Sequence, residues 1–472
     1  EVILEEPLKA HATATSKKPD YTFRLFSERK FFVEAKKPSV HIENSDETAR
    51  QVRRYGYTAK LKISVLSNFE HFIIYDCSEK VNKDDNFSKS RIKTYHYTEY
   101  ADKFEEIQSY LSKGAVYSGS FDEVWKDIAA QIQLHSVDDL FLEHINQWRL
   151  ILGTEIIKYQ PDITDELLND YVQSYINSII FFRVCENRNL EEYQTLLEFA
   201  NQEDFNALIK KFRQADRKYN SGLFEQNLSD EIIQNISSVF WSIIKELYYP
   251  ESPYSFSVFA SDILGNIYEI FLAEKLAIVD NEIQLVPKPE NTDKDVITTP
   301  TFIINDILRQ TLNPYCNGKS DNEIKSIKLA DIACGSGAFL LESYQQINNL
   351  LIDYFLQNDK TKLIQTSIDT YKLPFQTKKE ILLNCIYGVD KDYNAVEAAK
   401  FGLLLKLLEN EDITSTGTEN PILPDLSENI FYGNSLLDSV SEDKISIINP
   451  FDFGDMRFDL IVGNPPYMKA ED

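Results

Sequence analysis

Near its carboxyl end the sequence carries Asn464-Pro465-Pro466-Tyr467, close behind the apolar run Phe458-Asp-Leu-Ile-Val462. At average composition, an Asn-Pro-Pro-aromatic tetrapeptide arises by chance in only about one of several hundred chains of this length. Its chemistry is specific. A side-chain amide carbonyl on Asn464 and a backbone carbonyl on Pro465 offer two adjacent acceptors for the N–H groups of an exocyclic aromatic amine. Such an amine is a poor nucleophile until both N–H groups are held and the nitrogen pyramidalises. Two prolines stiffen the backbone that presents the acceptors. Tyr467 supplies a ring that can stack on a base turned out of a duplex. Taken alone, the tetrapeptide also reads as a rigid Pro-Pro turn closing a strand.

A second constellation lies upstream. Asp331-Ile-Ala-Cys-Gly-Ser-Gly-Ala-Phe-Leu340 places Ala333, Gly335 and Gly337 where a strand would turn into a helix. Glycines at such a turn let backbone approach a ligand. A lone Gly-x-Gly is as often structural as functional. Here Tyr387-Gly-Val-Asp390 ends the next expected strand on a carboxylate suited to a ribose diol, and Phe431-Tyr-Gly-Asn434 follows with an amide suited to a purine edge.

The amino-terminal part holds a different chemistry. Lys18-Pro19-Asp20 precedes Phe31-Phe-Val-Glu34-Ala35-Lys36. On a strand, Glu34 and Lys36 project from one face because side chains alternate. Asp20, Glu34 and the Ala35 carbonyl make an oxygen set for Mg²⁺, with Lys36 beside it to position water or stabilise an oxyanion. Glu-x-Lys is common, and Glu28/Lys30, Glu323/Lys325 and Glu442/Lys444 repeat it. Only Glu34/Lys36 follows a buried-strand pattern, and Ser27-Glu-Arg-Lys30 reads as a polar turn. Gln51-Val-Arg-Arg-Tyr55 is helix-compatible, with Gln51 a candidate phosphate or base contact. A solvated basic helix face is the alternative.

The elements that must position these groups are legible as patterns. The first ~120 residues mix strand-like runs (Tyr21–Phe26, Phe31–Ala35, His71–Tyr75) with helical stretches. Residues 121–285 read as helical, with stripes such as Leu168, Tyr171/Val172, Tyr175/Ile176 and Ile179/Ile180, and Ile263, Ile267 and Phe271. Residues 286–293 read as a linker. Strands expected at Ile327–Ala333, Cys385–Val389 and Phe458–Val462 then alternate with helices from Ala338 and Asn394, the pattern of a parallel sheet.

Composition bounds the whole. The 472 residues carry a net charge of −26, which argues against nucleic acid as a partner, yet residues 1–62 hold 13 Lys/Arg against 9 Asp/Glu. An acidic multidomain chain can still line a groove with basic groups. Five dispersed cysteines without a Cys-x-x-Cys point to a reducing cytoplasm and away from zinc. No apolar run reaches membrane-spanning length, and no signal-peptide pattern is visible. Gly318-Lys-Ser320 lacks the first glycine of a phosphate loop, where Asn313 stands, so no ATP motor is expected. All six histidines lie at or before His144, which disfavours a His-based nuclease further on.

The ordered set over residues 296–468 resembles the gamma-class amino-methyltransferases, whose Thr-Pro motif would be Thr299-Pro300. The resemblance implies an S-adenosylmethionine site built from Thr299, Asp331, Ala333, Gly335, Gly337, Asp390, Asn434 and Asn464, and a catalytic Asn464, Pro465, Pro466 and Tyr467. Asn434 departs from the Asp found in many members. Pro19-Asp20, Phe31–Pro38 and Gln51–Tyr55 are similar to the PD-(D/E)xK nuclease of type IIG restriction–modification enzymes, and the helical stretches Phe141–Arg149, Ile180–Arg188 and Ile263–Leu272 to its connector. That family's upstream acidic residue has no clear counterpart, Glu5 and Glu6 being the candidates. The implied fold is multidomain α/β: a mixed α/β nuclease over 1–120, an all-α connector over 121–285 and a truncated Rossmann-like methyltransferase over 286–472. The implied function is Mg²⁺-dependent cleavage of double-stranded DNA, involving a transient dimer, plus adenine-N6 methylation of a specific site, in a bacterial or archaeal cytoplasm. The start at Glu1 and the end at Asp472 mark the chain as a piece lacking a target-recognition region. Two alternatives stand: a methyltransferase with an inactive nuclease-like domain, and a non-catalytic DNA-binding scaffold.

Overall fold

Side chains alternate across a strand, so one short apolar run can serve two cores. In the computed structural model this principle organises the amino-terminal region. The structure describes residues 2–4, 18–25, 28–128, 137–219, 234–256, 274–280, 282–288, 299–367, 370–417, 421–435, 451 and 453–465. The chain divides into two compact units: Glu1–Glu143 with Phe182–Gln202 and Phe240–Ala260, and His144–Phe181 with Glu203–Val239 and Ser261–Asp472.

The first unit holds a sheet with its strands in sequence order: β1 (Val2–Leu4), β2 (Tyr21–Leu25), β3 (Glu28–Ala35), β4 (Ile63–Ser67), β5 (His71–Asp76) and β6 (Arg91–His96). All neighbours are antiparallel except β3 and β4, which run parallel through the crossover helix α1 (Asp46–Thr58). Phe31 of β3 joins Ile63, Val65, Ile74 and Phe121 in one core. Phe32, one residue on, packs instead with Tyr55 of α1. The same alternation puts Glu34 on the α1 side.

Helix α1 starts where Ser45 caps the Thr48 N–H, with Asp46 and Glu47 in the first turn to complement the helix dipole. It is not a solvated basic face: Gln51 is 7% exposed, and Arg53 and Tyr55 are fully buried. Arg53 is compensated by Asp85, with Nη1 2.9 Å from Oδ2. The polar turn expected at Ser27–Lys30 is also corrected, because Glu28, Arg29 and Lys30 extend β3. Lys30 tolerates burial there through an ion pair with Asp122 at 3.1 Å.

In the second unit, β9 (Leu329–Asp331), β12 (Ile386–Asp390), β13 (Ile430–Tyr432) and β14 (Leu460–Ile461) form a parallel sheet in the order β13-β12-β9-β14. The chain thus steps outward from β9 on one side and returns to its other side. That reversal creates the crevice, at the carboxyl ends of the strands, where doubly wound sheets bind ligands. Helix α2 (Ala338–Asn358) follows β9. A separate antiparallel pair, β10 (Ile364–Ser367) and β11 (Thr370–Lys372), comes next in the chain, and α3 (Tyr393–Leu407) follows β12. β9 and β14 are shorter than the expected Ile327–Ala333 and Phe458–Val462, the backbone beyond Asp331 already turning toward α2, while β12 keeps the expected length one residue further on. Leu168, Val172, Tyr175, Ile176, Ile179 and Ile180 lie buried along the helix Asp165–Asn187.

The described elements of the expected connector are helices up to Glu246, but its end departs from the all-α expectation. Residues 274–287, expected as helix and linker, form an antiparallel hairpin, β7 (Glu274–Val279) and β8 (Glu282–Pro287). Asp280 turns it with φ +51°, between the apolar run Leu276-Ala-Ile-Val279 and the alternating Ile283 and Leu285, both rich in strand-favouring side chains. Helix side chains satisfy the hairpin's outer edge: Asn169 exchanges two hydrogen bonds with the Leu276 backbone (2.8 and 2.9 Å), and Asp165 accepts the Ile278 N–H at 3.1 Å. The Ile263–Phe271 stripe, Glu5, Glu6, Phe26 and residues 289–293 lie outside the described residues. Among the described residues no helix is long and apolar enough to cross a membrane.

Gly56 lets α1 approach β4. A Cβ there would overlap Cys77 Sγ and come within 2.8 Å of Cys77 Cβ. Gly56→Ala is therefore expected to destabilise the protein by about 1–3 kcal/mol through overpacking. A urea titration checks this, and an unchanged midpoint would contradict the packing.

Candidate active sites

In the first unit the parallel ends of β3 and β4 carry the candidate groups. The Ala35 N–H donates to Asp20 Oδ2 at 2.7 Å, which ties the Pro-Asp loop to the strand. Glu34 is 3% exposed. Its Oε1 accepts hydrogen bonds from Lys36 Nζ (2.6 Å) and Gln51 Nε2 (3.0 Å). Lys36 Nζ also reaches Gln51 Oε1 at 3.4 Å. The structure thus brings Asp20, Glu34, Ala35, Lys36 and Gln51 together from three separate segments. Tyr55, one helical turn beyond Gln51, belongs to the same cluster and was not among the expected site residues. Its hydroxyl accepts from Gln51 Nε2 at 2.8 Å, and the i, i+4 spacing on α1 was the available signal.

The electrostatics of Glu34 are dominated by its burial. Burial pushes its pKa up to about 7, against the lowering effect of Lys36 and with some help from the nearby Asp20 charge. Its Oε2 is buried and makes no hydrogen bond. Hard cations take such oxygens. Asp20, Glu34 and the Ala35 carbonyl therefore fit Mg²⁺ by donor type. Among the described residues no three His, Cys, Asp or Glu side chains converge on a metal, so this set relies on two carboxylates and backbone.

In the second unit, Asp331 ends β9 and is 2% exposed. Its Oδ1 accepts the Ala333 N–H at 3.1 Å, folding the turn back on the carboxylate. Burial raises its pKa to about 7, with Asp390 adding repulsion. Gly335 (φ +53°) and Gly337 (φ +88°) both occupy the left-handed region. Open space surrounds the position of a Gly335 Cβ, while one on Gly337 would press on Ala399 at 3.0 Å. The space beside the first glycine is open; the second lets α2 and α3 pack.

Asp390 ends β12. Its Oδ2 accepts the Gly335 N–H and its Oδ1 the Asp392 N–H, each at 2.9 Å. Its carboxyl is raised by burial despite these bonds. Asn434 follows β13, and its carbonyl accepts the Phe451 N–H at 3.1 Å. Asn464 follows β14, and its Nδ2 donates to Thr299 Oγ1 at 3.0 Å. That bond joins the Thr-Pro segment to the Asn-Pro segment across 165 positions. Pro465 is exposed, while Pro466 and Tyr467 lie outside the described residues.

Two participants were not expected. A Cβ on Gly463 would sit 2.5 Å from Asp331 Oδ1, so only glycine lets the Asn464 segment pass the carboxylate. Ser435 Oγ donates to the Ile332 carbonyl at 2.7 Å, linking the ends of β13 and β9. Neither had a signal in spacing, because each depends on strands that meet only in the folded sheet.

A parallel α/β sheet with paired acidic residues at its strand ends and an Asn-Pro segment beside them has relatives. The Eco57I restriction-modification methylase family matches residues 384–472. The type II restriction enzyme and methyltransferase RM.Eco57I of Escherichia coli is 58% identical over 475 residues, covering 100% of this chain and 48% of that protein. The similarity to RM.Eco57I runs the length of this chain. The chain spans about half the length of that relative. The adenine-specific methyltransferase PglX of Streptomyces coelicolor is 24% identical over 197 residues, 38% of this chain and 15% of PglX. Among solved structures, the DrdV–DNA complex is similar at a TM-score of 0.36 and 10% identity, covering 89% of this chain and 34% of DrdV.

Glu34 makes a pH prediction. Its folded pKa of about 7 lies above the ordinary 4.5. Across that window the folded state holds a proton that the unfolded chain releases, so this group's contribution to stability falls as pH rises. Glu34→Gln removes the effect. Its melting temperature relative to wild type should therefore be higher at about pH 8 than at about pH 5. Melts of both proteins without divalent metal check this, and an equal gap at both pH values would contradict the buried carboxylate.

Proposed function

We propose that this chain provides both catalytic centres of a restriction–modification enzyme, an Mg²⁺-dependent DNA nuclease over residues 1–120 and an adenine-N6 methyltransferase over 286–472, joined by the intervening segment. The observation that carries the reading is the Asn464–Thr299 hydrogen bond. With Nδ2 donating to Thr299 Oγ1, the Asn464 amide is fixed beside the Thr-Pro segment. An amide carbonyl held in place is the kind of acceptor an exocyclic adenine amine requires.

When bound, S-adenosylmethionine supplies an electrophilic methyl group. The residues of the chain do the rest. The Asp331-anchored turn and Gly335 give backbone access to the donor. Asp390 and Asn434 are assigned to the ribose diol and the purine edge. Asn464 Oδ1 and the Pro465 carbonyl hold the two N–H groups of a base extruded from the duplex, with Tyr467 stacked on it and Pro466 stiffening the turn. RM.Eco57I and PglX both carry methyltransferase names, which supports the assignment.

In the nuclease, Mg²⁺ held by Asp20, Glu34 and the Ala35 carbonyl would activate water and offset phosphate charge. Glu34 ionises readily only near neutral pH, so metal affinity is expected to rise through that range. Lys36 and Gln51, both within reach of Glu34, orient the carboxylate and face the phosphodiester. One such centre per chain implies that two copies pair transiently to cut both strands of double-stranded DNA.

The test uses the full-length protein on plasmid DNA with Mg²⁺ and S-adenosylmethionine. Lys36→Ala should lower cleavage by at least about a hundredfold and leave N6-methyladenine formation intact. Asn464→Ala should do the reverse, by at least about a hundredfold in methylation. Wild-type protein that methylates but never cuts would remove the nuclease from this reading.

A further inference from the structure

Eight described non-glycine residues have positive φ: Lys60, Phe69, Ser90, Asn189, Gln194, Glu203, Asp280 and Asn410. Seven are polar. Phe69 is the exception, at φ +68° and 75% exposed. It bears two costs at once, a left-handed backbone that disfavours bulky side chains and an aromatic ring left in water. Glycine or asparagine would avoid both.

The turn that presents Phe69 is firmly built. The Phe69 N–H donates to Ser67 Oγ (3.2 Å), and its carbonyl accepts from the Tyr100 hydroxyl (3.1 Å). The buried Asn68 donates to the Val40 carbonyl (2.8 Å) and accepts the His71 N–H (2.7 Å). These bonds hold the ring's platform to the loop that follows Lys36. They also locate it. Ala35 pairs with Ser67, and the Lys36 N–H donates to the Ser67 carbonyl at 2.7 Å. The β4–β5 turn therefore projects from the same end of the sheet as Glu34 and Lys36.

We propose that Phe69 is a DNA contact of the nuclease centre, its ring packing against sugars and base edges of the duplex laid across the ends of β3 and β4. This rests on the nuclease reading above. A phosphodiester brought to Glu34 must cross that sheet end, where Lys37 and His41 are also exposed and add positive or polar character. An aromatic ring suits the apolar sugar and base surfaces between phosphates, and apolar side chains used in this way help hold a distorted duplex. Strain of this kind persists where surrounding structure enforces it, as the four hydrogen bonds do here.

The experiment compares wild type, Phe69→Gly, Phe69→Trp and Lys36→Ala in the full-length protein. Melting temperature, cleavage kcat/KM on plasmid and methylation rate are read for each. Phe69→Gly should melt at or above the wild-type temperature, since it relieves the strain. Its cleavage kcat/KM should fall by about fivefold to a hundredfold, the range of one to two lost apolar or stacking contacts, with methylation unchanged. Phe69→Trp should recover most of the cleavage. Removing a ring releases no counterions, so the slope of DNA affinity against salt should stay as in wild type. If Phe69→Gly cuts as wild type does while Lys36→Ala is dead, the proposal is overturned and the nuclease reading stands. A lower melting temperature with cleavage and methylation reduced together would also overturn it, marking Phe69 as structural. If Lys36→Ala cuts normally, the nuclease reading itself fails.

Discussion

A carboxylate buried at the carboxyl end of a parallel strand is the constraint on which both sites depend. Glu34 sits where β3 runs beside β4, and Asp331 where β9 runs between β12 and β14. Desolvation raises each to about 7. Burial at that level is tolerated only because backbone N–H groups and neighbouring side chains are arranged around the charge. At Asp331 the arrangement is the tight glycine turn; at Glu34 it is Lys36 and the Gln51 amide. Remove the carboxylate and each local geometry loses its reason.

The two sites meet this constraint differently, and the difference matches the chemistry proposed for them. Asp331 keeps company with a second acid, Asp390, whose two oxygens each take a backbone N–H. Both acids are thereby locked to main chain, which suits recognition of a neutral ribose and a donor held close to backbone. Glu34 keeps one oxygen without a hydrogen bond and has Asp20 nearby. Leaving that oxygen orphaned would cost on the order of 1–3 kcal/mol in a purely structural role. The proposed Mg²⁺ would turn that cost into affinity.

Rigid support recurs outside the charges. Gly463 and Gly56 are glycines because neighbouring atoms occupy the space of a Cβ, one beside Asp331 and the other beside Cys77. Each allows an element bearing functional groups, the Asn464 segment or α1, to approach a strand closely. Phe69 shows the opposite bargain, a bulky residue kept where a small one would be easier. Close approach and strain are both placed at the ends of strands, where loops can carry chemistry without disturbing a core.

Local pattern was enough for some of this. Strand alternation put Glu34 and Lys36 on one face, and the glycine pair marked the turn out of β9, because both follow from backbone geometry within a few residues. Pattern also found the parallel alternation of the second unit. It misread Ser27–Lys30 as a turn, since Lys30 is buried only by virtue of Asp122, 92 positions away. It missed the β7–β8 hairpin, whose edge is satisfied by Asn169 and Asp165 from a distant helix. The Asn464–Thr299 bond, the fit of Gly463 against Asp331 and the burial of Arg53 were likewise beyond it. The sequence by itself determined which residues can do the chemistry, for residue type and short spacing are local properties. Only the tertiary structure decided which of them meet, how buried each charge is and where a polar residue finds its partner, because those depend on contacts between segments far apart in the chain.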